Sequence, residues 1–383
     1  MTDLARDRED VDARALTAAL ARLRPLDAEA MRAAATHLDR LTKPPGSLGR
    51  LETLLVELAG ITGRVDAPVA RRTIVVAAAD HGVTRRGVSA YPSDVTAQMV
   101  ATFVGGGAAI NALAGAAGAD VVVVDAGVAT AIPDRSGAVD DAGATRLVRA
   151  RIRDGTADMT QGPAMSRAEA LRAIVIGLDL VDDLRRTGLD LIGVGEMGIG
   201  NTTAASAITA VLTGRPVAAV TGRGTGIDDA THRRKVAAIE GAIERNAPDP
   251  DDPVGVLAAV GGLEIGVLVG VIVGAAAAGI PVVLDGFITG SAALVAAALQ
   301  EAVAPRLIAG HRSVEPGHGA ILEQLALEPL LDLDLRLGEG TGAALAMALI
   351  AAAVRVRDEM ATFESASVSG PTATETVTGG PRG

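Results

Sequence analysis

Glu339 stands alone among glycines in the segment Gly338-Glu339-Gly340-Thr341-Gly342. Glycine lets backbone approach a ligand closely, so this segment can present one carboxylate into a crevice as a proton acceptor. The same spacing also suits a carboxylate that stabilises a helix start through the helix dipole. Three more acids sit where an apolar run stops: Asp80 after Val75-Val76-Ala77-Ala78-Ala79, Asp125 after Val122-Val123-Val124, and Asp285 after Val282-Val283-Leu284. In open parallel sheets the ligand crevice lies outside the carboxyl ends of the strands, so the three would line one rim. The alternative for each is a cap on the helix that follows.

Two glycine-rich loops offer places for a phosphate. Gly193-Val194-Gly195-Glu196-Met197-Gly198-Ile199-Gly200-Asn201-Thr202-Thr203 follows an apolar run and opens a helix, where orphan amides and the dipole favour an anion. Thr221-Gly222-Arg223-Gly224-Thr225-Gly226 adds the cation Arg223, although it also reads as a plain turn. Gly193, Gly195 and Gly198 satisfy GxGxxG, yet Val211 to Thr225 holds no acid to grip a ribose and Glu196 would face a pyrophosphate. A nicotinamide-dependent oxidoreductase is therefore disfavoured. No loop ends in Gly-Lys-Ser/Thr, no GxSxG elbow occurs, and the five histidines form no HExxH or other metal pattern. His311 and His318 flank Ser313-Val314-Glu315-Pro316-Gly317, where Ser313 is suited either to donate to a phosphate or to form a turn.

These residues need a scaffold that brings distant loops together. From Arg72 onward, short β-branched runs alternate with Ala-rich segments: Thr73 to Ala79, Val121 to Val124, Leu189 to Val194, Val217 to Val220, Pro281 to Leu284 and Arg306 to Ala309. That alternation predicts parallel βαβ units with helices on both faces of the sheet. Ala13 to about Gly60 reads as helices split by the turn Lys43-Pro44-Pro45-Gly46-Ser47, with Ser47 expected to cap the helix from Leu48. The domain expectation is N-terminal helices over 1–65, completed by a helix at about 343–360, a large α/β domain over 66–342, and a disordered Ser/Thr/Gly/Pro-rich tail over 362–383.

Composition bounds the partners. A net charge of -11 disfavours DNA or RNA, and the absence of cysteine excludes disulfides and thiolate chemistry. Ile265 to Leu284 is twenty residues without a charge, the length of a membrane span, but Gly279-Ile280-Pro281 divides it into a buried helix and a buried strand. Met1 to Arg14 lacks the apolar stretch of a signal peptide, so the expected location is the cytoplasm, with no membrane association.

Taken in order, the loops resemble those of the nicotinate-nucleotide:dimethylbenzimidazole phosphoribosyltransferase family. The resemblance rests on Thr42-Lys43-Pro44-Pro45-Gly46-Ser47-Leu48-Gly49-Arg50-Leu51-Glu52, Asp80-His81-Gly82-Val83, Gly87-Val88-Ser89-Ala90-Tyr91-Pro92, Val95-Thr96-Ala97-Gln98-Met99 and Gly105-Gly106-Gly107-Ala108-Ala109-Ile110-Asn111. It continues through Gly195 to Thr203, Glu315-Pro316-Gly317-His318 and Gly338 to Gly342, and spans about Leu16 to Met360.

The resemblance implies a Rossmann-like parallel sheet, a small helical domain from both chain ends, and a homodimer. It implies transfer of phosphoribosyl from nicotinate mononucleotide to 5,6-dimethylbenzimidazole without a metal or other cofactor, giving α-ribazole 5'-phosphate for the cobalamin lower ligand. By position, Glu339 matches the catalytic base, and Glu196 and Lys235 match charged residues of the same site. Gly198, Gly200, Thr202, Gly224, Asp285 and Ser313 match segments holding the nucleotide, while Gln98 and Leu337 match positions contacting the azole. A regulator that binds nicotinate mononucleotide without consuming it is the competing class, separable by turnover.

Overall fold

The computed structural model describes residues 3–133, 145–224 and 226–369. Three helices open the chain: α1 (Asp3–Leu20), α2 (Ala28–Arg40) and α3 (Arg50–Thr62). β1 (Arg72–Ala79) is followed by α4 (Asp94–Val104) and α5 (Ala109–Ala117), then β2 (Ala119–Gly127), β3 (Arg146–Arg149) and α6 (Arg167–Thr187). β4 (Leu191–Met197) leads to α7 (Asn201–Thr213), a single turn α8 (Val217–Val220), α9 (Asp229–Asn246), α10 (Pro253–Val260) and α11 (Leu263–Ala277). β5 (Val282–Leu284) precedes α12 (Phe287–Leu299), and β6 (Leu307–Ala309) precedes α13 (Pro316–Gln324) and α14 (Thr341–Glu359).

The six strands form one sheet in the order β3-β2-β1-β4-β5-β6, and every neighbouring pair is parallel. This is the doubly wound order, whose switch point falls between β1 and β4. β1 is apolar at nearly every position because both faces are covered: Val75, Ala77 and Ala79 belong to one apolar cluster, Ile74, Val76 and Ala78 to the other. α6 packs on α11 on the first side, and α14 lies against β4 and β5 on the second. Gly177 and Gly270 let the first pair approach closely, since a β-carbon on either would strike the other helix's backbone. The uncharged stretch from Ile265 divides as expected, α11 being buried before β5 begins.

The structure departs from the sequence reading at four places. Val217–Val220 is a helical turn rather than a strand: Pro216 precedes it with φ -54°, and Thr221 Oγ1 donates back to Val217 O at 2.7 Å. Ser47 does not cap α3; the helix starts behind Gly49, and Ser47 N donates to Pro44 O within the preceding turn. The edge strand β3 escapes the sequence pattern, because Arg146 and Arg149 bracket a run with only two apolar residues. Finally, residues 362–369, expected in a disordered tail, form a turn tied to the end of α2 through Thr42 N to Ala361 O (2.9 Å) and Phe363 N to Arg40 O (3.0 Å). The rest of that tail expectation falls outside the described residues.

Candidate active site

β4 carries glycines at alternate positions, Gly193 and Gly195, and this period places both on one face of the strand. A β-carbon on Gly193 would meet Met347 Cε at 2.9 Å, and one on Gly195 would overlap the backbone of Glu339 and Gly340. The bare face of β4 thus lets the start of α14 lie flat against the sheet. The turn before that helix is left-handed at three successive residues, with φ 84° at Gly338, 64° at Glu339 and 89° at Gly340. For glutamate this conformation is strained by about 1 kcal/mol or more, so other contacts must hold it.

Asp285, at the end of β5, supplies them. Its Oδ2 accepts from Gly340 N at 3.0 Å and its Oδ1 from Gly342 N at 2.7 Å. Thr341 adds a bond from its Oγ1 to Gly338 O at 2.8 Å. His311 Nε2 lies 3.6 Å from Asp285 Oδ1, too far for a hydrogen bond but close enough to act as a charge partner. Burial lowers the His311 pKa, and Asp285 more than offsets this, so it ends above the ordinary imidazole value.

The held carboxylate is 6% exposed, and among the described residues Oε2 has no hydrogen-bond partner. Burial pushes the Glu339 pKa up to about 6; the Ile110 amide pulls the other way, and the charge on Asp285 adds to the rise. Glu196, at the end of β4, is also buried and receives a short bond from Asn201 Nδ2. Burial, then the nearby charges of Asp285 and Glu264, raise its pKa well above the ordinary range despite the Asn201 bond. Glu339, raised to about 6, is poised close to neutrality.

Glu196, Gly198, Thr202, Gly224, Asp285, Ser313 and Leu337 all line one crevice, with about 680 Å³ of open space counting its mouth. Gly338 also lines it, whereas Glu339 lies just behind that turn residue and is not among the lining side chains. Lys235 reaches it from α9: its buried Nζ donates to Thr202 Oγ1 at 2.8 Å and Gly222 O at 3.4 Å. Burial lowers the Lys235 pKa to about 8, with Glu315 opposing the shift. Gly200 lies one layer back with φ 97°, where a β-carbon would press on Thr84 and His81. Gln98 is exposed on α4, apart from the residues that line the crevice. Leu337, 58% exposed, forms part of the rim.

Of the three strand-end acids, only Asp285 lines the crevice. Asp80 Oδ2 accepts from Ala129 N at 2.8 Å, and Asp125, inside β2, accepts from Val128 N at 2.9 Å and faces Arg151 at 3.6 Å. Both brace loops at the β1 and β2 ends. Sequence reasoning also passes over Glu264, whose Oε1 meets His81 Nε2 at 2.7 Å with both side chains almost wholly buried. Burial lowers the His81 pKa, but the charge of Glu264 and its hydrogen bond raise it overall. The pair backs the loop above it, since a β-carbon on Gly198 would strike Ala79 O and approach the His81 ring. Nothing in local spacing signals a contact across 183 residues. Asn201 and Glu315 lie within the motifs that carry the family resemblance, and their polarity beside glycine is the available signal.

A parallel-sheet crevice at the strand ends, lined by acids and backed by a buried lysine, makes this an α/β enzyme of the Rossmann-like, nucleotide-handling class. The family model described as "Phosphoribosyltransferase" matches residues 23–368. A Chloroflexus aggregans protein named nicotinate-nucleotide--dimethylbenzimidazole phosphoribosyltransferase is 56% identical over 354 residues, covering 92% of this chain and 98% of that protein. A Geobacter sulfurreducens protein of the same name is 50% identical, covering 92% and 98%. The crystal structure of the Thermus thermophilus protein with this name aligns at TM-score 0.82 and 46% identity, covering 90% of this chain and 100% of that one. The chain belongs to the nicotinate-nucleotide–dimethylbenzimidazole phosphoribosyltransferase family.

Proposed function

We propose that this enzyme transfers the 5-phosphoribosyl group of nicotinate mononucleotide to 5,6-dimethylbenzimidazole, with Glu339 as general base. The observation that carries the assignment is the Glu339 carboxylate: strained, braced by Asp285, and with one oxygen unclaimed by any described residue. Oε2 takes the N–H proton of the azole while the opposite ring nitrogen attacks the anomeric carbon from the α face. The bond from that carbon to nicotinate breaks, and its electron pair returns to the ring nitrogen, cancelling the pyridinium charge. Configuration inverts. The products are α-ribazole 5'-phosphate and nicotinate, and Glu339 releases the proton to solvent.

The leaving group becomes less charged as it departs, so catalysis reduces to proton removal and the positioning of two bound reactants. In this reading the start of α7, Gly198, Gly200, Thr202, Gly224 and Lys235 hold the phosphate. Ser313 and the Asp285 segment face the ribose, and Glu196 offers a polar contact within the crevice. The azole lies against Leu337, and Gln98 is assigned to it on the family resemblance alone. The same reading takes the working form as a homodimer in the cytoplasm, on the strength of the family resemblance. Purified protein given both substrates should form the α-linked nucleotide, followed by chromatography. Absence of product with every benzimidazole or purine offered would leave a nucleotide-binding regulator as the better reading.

A further inference from the structure

Glu315 occupies the residue before α13, the usual capping position, yet its side chain makes no cap bond. It lines the crevice instead, 8% exposed, and among the described residues its Oε2 has no hydrogen-bond partner. The loop after α8 is pressed onto this carboxylate, for a β-carbon on Gly222 would overlap Oε2. Lys235, whose pKa Glu315 raises, directs its short contacts to Thr202 and Gly222 O rather than to Glu315. A buried carboxylate oxygen without a donor is costly, and a ligand that brings donors relieves that cost.

The reactants differ in what they can bring. A phosphate offers acceptors and negative charge, which Glu315 repels. The azole has a single N–H, already assigned to Glu339. The ribose carries vicinal hydroxyls, each able to donate. We propose that Glu315 accepts a ribose hydroxyl and makes the site selective for ribonucleotides over deoxyribonucleotides, with Lys235 on its far side serving the phosphate. The assignment rests on the transferase reading above and adds a specificity-determining residue to it.

The test compares kcat/KM for nicotinate mononucleotide and its 2'-deoxy and 3'-deoxy analogues in wild type, Glu315→Ala and Glu315→Gln. Wild type should prefer the ribonucleotide over at least one analogue by about 10- to 100-fold, the range for a hydrogen bond to a charged group. Comparing the ratio between proteins cancels the intrinsic reactivity of each sugar. In Glu315→Ala the preference should fall below about threefold, with Glu315→Gln, which keeps one acceptor oxygen, in between. The near-isosteric Gln variant carries the comparison if the Ala variant melts early. Equal losses on all three nucleotides, or a wild type indifferent to both deoxy analogues, would overturn the proposal. Calorimetric binding of the same nucleotides needs no turnover: an inactive wild type that still prefers the ribonucleotide sinks the transferase reading and spares the Glu315 assignment.

Discussion

Asp285 and Glu339 are joined through backbone rather than side chain: the Asp285 carboxylate straddles the turn that carries Glu339, accepting from Gly340 N at 3.0 Å and Gly342 N at 2.7 Å. A buried anion at a strand end thereby fixes a left-handed glutamate. In Asp285→Asn one acceptor is replaced by an amide N–H that must face a backbone N–H. The variant should lose about 2–3 kcal/mol of stability and at least about 10-fold in kcat, because the base is no longer held in place. Thermal melts and initial rates check this; an Asn variant with wild-type kcat would show that the brace is dispensable.

The pH profile of kcat/KM should be bell-shaped. Glu339 must be ionised to accept a proton, so the acid limb should fall below about pH 6. Lys235 must be charged to attract phosphate, so the alkaline limb should fall above about pH 8. Lys235→Met should raise the KM for nicotinate mononucleotide and remove the alkaline limb while leaving the acid limb in place. An unchanged alkaline limb assigns it to another group.

Glu339 should cost stability in return for function. Its folded pKa, about 6, exceeds the ordinary 4.5, so the folded state holds the proton more tightly than the unfolded chain. That advantage is present below about pH 4.5 and lost as pH rises through about 6. Glu339→Gln, which carries no charge, should therefore melt above wild type at pH 8, by the equivalent of up to about 2 kcal/mol. The gap should shrink towards pH 4.5. A pH-independent gap would place the strain in the backbone alone.

The loop above His81 and Glu264 has little room. Gly198→Ala would push a β-carbon against Ala79 O, displacing the segment assigned to the phosphate. The KM for nicotinate mononucleotide should rise at least about 10-fold while the KM for dimethylbenzimidazole changes little. Equal effects on both substrates would argue that the whole crevice has shifted.

Much of this architecture is legible in the chain because parallel strands buried on both faces write themselves as β-branched runs, and five of the six strands coincide with such runs. The exceptions have local causes. Val217–Val220 has the composition of a strand but follows Pro216 and has no neighbour to pair with, whereas Arg146–Arg149 has the composition of a loop but finds an edge. Glycine-rich loops flag where ligands approach, and Glu339 stands out within one. What periodicity does not supply is long-range partnership: Asp285 reaches the Glu339 turn across 55 residues, and His81 reaches Glu264 across 183. Burial of Lys235 is likewise invisible, since α9 is otherwise a polar helix.

Everything in this mechanism depends on Glu339 as the group that takes the azole proton. The most direct measurement is steady-state formation of α-ribazole 5'-phosphate at pH 8 by wild type and Glu339→Gln, followed chromatographically with nicotinate mononucleotide and 5,6-dimethylbenzimidazole. Loss of about 10²- to 10⁴-fold in kcat, with the KM for the nucleotide within a few-fold of wild type, is the predicted result. A Glu339→Gln enzyme turning over within about threefold of wild type would contradict it and assign the base to another residue.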